Sequence, residues 1–156
     1  MDKSKINILP SPATVRFFIL SCFFLFLSSV AFSQSYADAI LGKWKSEDGK
    51  TVVEIYKSGN EYKGKIVWLA VPNDGSGNPR TDLENPDPKK RSRPLMGLTV
   101  LYHLYYEDGY WQDGEIYNSQ NGETYDVDVW LEGKDTLNLK VYWYFMHETQ
   151  TWKKLP

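Results

Sequence analysis

Nucleophilic catalysis needs a Ser or Cys with a base in reach. Beyond residue 33 the sequence holds no Cys and no Gly-x-Ser-x-Gly elbow, and its near-neutral bases are His103 and His147. His103 sits among Tyr102, Leu104 and Tyr105, the setting of a half-exposed strand residue rather than of a catalytic base. Without a His-x-x-x-His or paired-Cys spacing, the two histidines do not suggest a zinc pair. Asp113 and Glu115 flank Gly114; a carboxylate turned inward there could act as a general acid or meet a cationic ligand. The plainer reading has both facing water, with Gly114 marking a bulge. Asn73-Asp74-Gly75-Ser76-Gly77-Asn78 faintly resembles a calcium loop, but Pro79 stands where the turning Gly is required and the distal Glu is missing. The sequence gives no support for an enzyme and implies neither metal nor cofactor.

Two other groups are better placed to bind something. Lys89-Lys90-Arg91-Ser92-Arg93 follows Asp82, Glu84 and Asp87. Guanidinium forks suit carboxylates, so Arg91 and Arg93 are expected to pair with those acids and, with Asp82, Asn85 and Asp87, to hold the surrounding loop in one shape. The sharper alternative turns Arg91 or Arg93 towards a cavity mouth to receive a carboxylate or phosphate head group. Lys89 and Lys90 are expected in solvent. The second group is aromatic: Trp68, Tyr125 and Trp143 share the parity of Ile66, Val127 and Leu139, and on an inward face they would line an interior that is either filled or able to hold one small ligand.

The elements that position these residues read as short strands. Val53 and Ile55 alternate with Glu54 and Lys57, Tyr125 to Leu131 alternate with Asp126 and Asp128, and Leu137 to Trp143 alternate with Asn138 and Lys140. That period of two is a strand signature. Turn clusters such as Ser46-Glu47-Asp48-Gly49, Ser58-Gly59-Asn60 and Glu107-Asp108-Gly109 separate the runs at hairpin length. Strands are expected at 42–47, 51–57, 61–70, 97–106, 110–118, 123–131, 136–143 and 148–154. Eight consecutive antiparallel strands close most simply into an up-and-down barrel, because closure removes the exposed edges; a sandwich is the alternative. A helical turn over 36–41, capped by Ser35 or Asp38, would precede the first strand. Trp44 and Trp152, on the first and last strands, would meet at the closure seam. One connection, 71–94, is long and carries five prolines, which favours an ordered loop and makes it a natural place for function.

Composition sets the compartment and the size. The chain has 156 residues, enough for one domain. Residues 1–33 read as a leader: Lys3, Lys5 and Arg16, then an apolar run from Phe17 to Leu27, then Ala31-Phe32-Ser33 as a small-residue cleavage site before Gln34. The apolar run is short for a bilayer span of ~20 residues, so no stable membrane span is expected after cleavage; a retained anchor or a lipoprotein box at Ile19-Leu20-Ser21-Cys22 are the alternatives. Residues 34–156 carry 15 basic against 19 acidic side chains and no Cys. That balance gives no electrostatic footprint for nucleic acid, and an exported domain without disulfides must rely on its core.

Gly64-Lys65-Ile66-Val67-Trp68-Leu69, Asn85-Pro86-Asp87, Arg91-Ser92-Arg93-Pro94-Leu95-Met96-Gly97-Leu98, Gly114-Glu115-Ile116-Tyr117 and Thr149-Gln150-Thr151-Trp152, in that order, resemble the exported bacterial domain-of-unknown-function 2147 family. The resemblance runs from about Ala37 to the C-terminus. It implies a periplasmic setting and no known activity. Where family members often have Arg-Gly-Tyr this chain reads Lys140-Val141-Tyr142, and past the last Trp it has Lys153-Lys154 in place of an Arg. Gly42-Lys43-Trp44 is similar to the Gly-x-Trp opening of lipocalin-like barrels, which implies a calycin-like fold.

Together these readings describe an all-β, eight-stranded antiparallel barrel of the cell envelope, at 34–156. It is expected to bind a small ligand, apolar or amphiphilic and with an anionic head as one option, and to have the 71–94 loop over one end. The rival is a ligand-free interaction module docking an envelope protein through that loop. An enzyme is a distant third.

Overall fold

The computed structural model describes residues 36–156, so the leader at 1–33 and its cleavage site lie outside the described residues. Eight strands follow in order: β1 (Gly42–Lys45), β2 (Thr51–Ser58), β3 (Glu61–Leu69), β4 (Thr99–Glu107), β5 (Tyr110–Asn118), β6 (Glu123–Glu132), β7 (Thr136–Trp143) and β8 (Met146–Lys154). Each pairs antiparallel with the next and β8 returns to β1, giving a closed up-and-down barrel. Every strand boundary expected from the alternation lies within two residues of the observed one.

The period of two does the sorting. Val127 and Val129 on β6 face Val141 and Leu139 on β7, and Leu137 faces Trp152 on β8, all buried inside the barrel. Burying side chains of this size contributes roughly 1.5–3 kcal/mol each, which replaces the disulfides the domain lacks. Two glycines make room for the crowding. A Cβ at Gly114 would lie 2.4 Å from Leu104 Cδ2, and one at Gly64 would lie 2.8 Å from Val53 Cγ1. At Gly114 the β5–β6 register shifts, and His103 and Asp113 both take positive φ (56° and 59°) on the adjoining strands. These are the marks of bulges that coil the sheet into closure.

A 3-10 turn at Asp38–Ile40 closes one end. Ile40 is fully buried, the indole N–H of Trp44 donates to its carbonyl at 2.8 Å, and that of Trp111 donates to the Ala37 carbonyl at 3.2 Å. Asp38 does not cap this turn: the residue before it is Ala37, without a capping hydrogen bond, and Ser35, the other expected cap, lies outside the described residues. Asp38 instead accepts the Tyr62 hydroxyl at 2.6 Å and pairs with Lys57 at 3.1 Å, tying the turn to β2 and β3.

The seam is short. β1 meets β8 over two residue pairs, Trp44 with Lys154 and Lys45 with Lys153. Above them the Glu47 carboxylate accepts the Thr151 backbone N–H at 2.9 Å, where a longer β1 would have offered a carbonyl. Trp44 is buried at this seam and Trp152 lies two residues from its partner Lys154, on the inner face.

Candidate functional site

The end opposite the 3-10 turn is open. There the hairpin turns after β1, β5 and β7 surround a cavity of about 720 Å³ that descends between the strands. Val53, Ile66, Val100, Val141, Trp143 and Trp152 form its apolar walls. Below it, Trp44, Trp111, Leu101 and Leu104 pack the interior solidly. The sequence left a filled barrel and a hollow one both open, and the structure combines them, one in each half.

Tyr125 and Trp143 both line the cavity. Tyr125 is held at the rim by its hydroxyl, which accepts from Asn121 Nδ2 at 2.7 Å and donates to Glu123; that second bond raises its phenol above the ordinary value. Trp68 is corrected to the outer face. In the β2–β3 ladder Val53 pairs with Ile66 but Val52 pairs with Trp68, so Val67 is an extra residue that reverses the parity beyond it. Trp68 is 44% exposed, with Lys45 Nζ 5.9 Å from its ring centroid.

Arg91 and Arg93 are also corrected as ligand contacts, because neither lines the cavity. Arg93 Nη2 lies 2.8 Å and Nε 2.9 Å from one oxygen of Asp82, a carboxylate with no solvent exposure. The other Asp82 oxygen accepts the Tyr117 hydroxyl at 2.6 Å, and Asn85 Nδ2 donates to both Asp82 and Tyr117. Desolvation, and then the bond to Asp82, raise the Tyr117 phenol. Arg91 Nε donates to the Asn85 carbonyl at 2.8 Å rather than to a carboxylate. Asp87 accepts the Lys89 backbone N–H at 3.0 Å and begins the short turn at Pro88–Lys90.

This network moves the long loop as well. No residue of 71–94 lines the cavity, so the loop is not a cover for the open end. In β5, Tyr117 alternates with the inward Ile116 and so points outward; the loop lies over it and braces the wall from outside. It also presses on the β5–β6 turn, where a Cβ at Gly122 would fall 1.9 Å from the Glu84 carbonyl oxygen.

The polar part of the cavity went unread in the sequence. Glu47, Asp48, Glu123 and Glu148 line its upper part, with Gln150 below Glu148, and no Lys or Arg is among the lining residues. Glu148 pairs with Val141, as Gln150 does with Leu139 and Trp152 with Leu137, so all three side chains point inward. The parity of Trp152 carried this signal, since residues two and four positions before it on one strand must share its face. Asp48 accepts from Ser46 Oγ and from the Lys50 backbone N–H, and that backbone bond leads in holding its carboxyl below the ordinary value. Beside the mouth, Tyr144 and Phe145 at the tip of the β7–β8 turn are 99% and 93% exposed.

Comparison with known proteins agrees with this architecture. A family model described as an uncharacterized protein conserved in bacteria (DUF2147) matches residues 42–154. Among solved structures, protein HP1028 from Helicobacter pylori, described as belonging to the lipocalin family, is similar with a TM-score of 0.65 and 25% identity over 75% of this chain and 83% of that one. No curated protein matches the chain.

Proposed function

We propose that this chain, which belongs to the DUF2147 family of bacterial proteins, holds one small amphiphilic molecule in the open half of its barrel and works in the cell envelope. The observation that carries the reading is the divided interior. A packed lower half supplies stability, and a cavity of about 720 Å³ with apolar walls and a polar rim lies above it. Small-molecule sites are typically ~300–1,000 Å³ and combine these two features, and eight-stranded barrels are wide enough to enclose one ligand. Filling the upper half with side chains would have stabilised the fold further, so an apolar-walled volume that side chains leave open at the mouth suits a ligand.

The envelope setting rests on the leader, with its basic start, its apolar run and small residues at Ala31 and Ser33. Among the described residues no helix is long and apolar enough to cross a membrane. N-terminal mapping of the secreted protein should give Gln34 as the first residue; a protein recovered from membranes with Phe17 to Leu27 attached would refute export as a cleaved form.

Native mass spectrometry of protein purified from the periplasmic fraction tests the binding itself. A co-purifying small molecule at one per chain, together with a rise in melting temperature on adding a neutral amphiphile such as decanol, is the expected result. A bare mass and an unmoved melting temperature across a panel of neutral amphiphiles would overturn it in favour of an interaction module.

A further inference from the structure

We infer that the ligand of this cavity is an organic cation, an amine or quaternary ammonium group on an apolar body, seated with its charge beside Glu148 and its body against Trp143 and Trp152. The inference rests on the reading of the cavity as a ligand site and adds the sign of the ligand's charge.

Position comes first. Glu148 lies on the inner face of β8 directly opposite Val141 of β7, one strand step above Gln150 and two above Trp152. Its side chain therefore enters the cavity from the wall, between the apolar floor and the mouth. It has no hydrogen-bond or ion-pair partner among the described residues. The other three acids lining the cavity are engaged: Glu47 with the Thr151 backbone, Asp48 with Ser46 and Lys50, and Glu123 with Tyr125. Glu148 is thus the one of the four with neither carboxylate oxygen engaged among the described residues.

Charge comes second. Four carboxylates line the cavity against no Lys or Arg, while the nearby arginines are committed to the loop on the outer wall. A concave site with one sign of charge and low-dielectric walls concentrates its field at the mouth, drawing in cations and repelling anions. An anionic head group would meet four like charges and no compensating donor of positive charge. The lining favours the opposite sign twice over, because the aromatic rings of Trp143, Trp152 and Tyr125 add a second attraction for an ammonium group.

The test uses three molecules with one tail: decylamine, decanol and decanoate, cationic, neutral and anionic at pH 7. Binding to the full mature protein is followed by tryptophan emission and melting temperature at low salt. Decylamine should bind about tenfold or more tighter than decanoate, with decanol between them, and the gap should narrow as salt is raised. Glu148→Gln, a near-isosteric change at an exposed position, should reduce the amine preference, read as the ratio of decylamine to decanol affinity, by about threefold or more. Glu115→Gln on the outer face of β5 should alter nothing and so controls for the overall negative charge. Decanol binding with decanoate equal to or tighter than decylamine would overturn the charge assignment and leave the cavity reading standing. An amine preference that survives Glu148→Gln would overturn the role of Glu148. Failure of all three molecules to bind would overturn the ligand site itself.

Discussion

Arg93 and Asp82 are joined through a single oxygen: both Nη2 and Nε of the guanidinium lie within 2.9 Å of Asp82 Oδ2, which leaves Oδ1 to the Tyr117 hydroxyl. With Asn85 Nδ2 also donating to Oδ2, a fully buried carboxylate is satisfied by two residues of its own loop and one from the barrel wall. Arg93→Ala would strand that charge, at a cost of roughly 2–4 kcal/mol, somewhat below the figure for a sealed pair because the arginine itself is partly in solvent. Lys90→Ala, whose ammonium is 3.8 Å from Asp87 in the open, should cost under ~0.5 kcal/mol. Urea midpoints and limited proteolysis within 71–94 check this, and equal cleavage of the two variants would remove Arg93 as the organiser of the loop.

Gly122 has φ +74° and faces the Glu84 carbonyl so closely that no side chain fits. Gly122→Ala should cost about 2 kcal/mol or more and release the loop from the β5–β6 turn, because strain and collision add. Gly59→Ala, with φ +65° and open space around it, carries the strain alone at ~1 kcal/mol. A loop that stays protease-resistant in Gly122→Ala would show that the contact is not what holds it.

Tyr142 stands outside the barrel with its hydroxyl 2.7 Å from Asp128 Oδ2. Desolvation first, and then the bond to Asp128, push its phenol up to about 12 from an ordinary 10.0. Between those values the folded chain keeps a proton that the unfolded chain has released, so the contribution is present below pH 10 and is lost as pH rises towards 12. Melting temperature followed from pH 9.5 to 12 should fall more steeply in the native protein than in Tyr142→Phe. Parallel slopes would mean that Tyr142 does not titrate in this window.

Trp111 and Trp143 distinguish the two halves of the barrel. Trp111 is buried in the packed half and donates to the Ala37 carbonyl, so Trp111→Ala should cost about 3–5 kcal/mol. Trp143 borders the cavity, where part of its surface already faces open volume, and Trp143→Ala should cost distinctly less while weakening amphiphile binding. Chemical denaturation of both variants, with decanol titration of the second, makes the comparison. Equal losses of stability would mean that the upper half is packed like the lower.

Strand order and inner face were written in the sequence because alternation is local: Val127, Val129, Leu137 and Leu139 announce their face through their own neighbours. Closure followed from eight such strands with hairpin links and nothing to cover an edge. The partnership of loop arginines with loop acids was also readable, since opposite charges of suitable geometry lay within one short segment, and Arg93 with Asp82 realises it. What the tertiary structure alone decided are matters of phase and distance. One extra residue, Val67, turns Trp68 outward, and a bulge leaves no mark in a pattern read by parity. Tyr117 meets Asp82 across 35 residues of chain, a contact that places the loop on the outer wall instead of over the mouth. The charge of the cavity was hidden for the same reason: Glu47, Asp48, Glu123 and Glu148 are scattered over three separate stretches of sequence, and only the curvature of a closed sheet brings them around one opening.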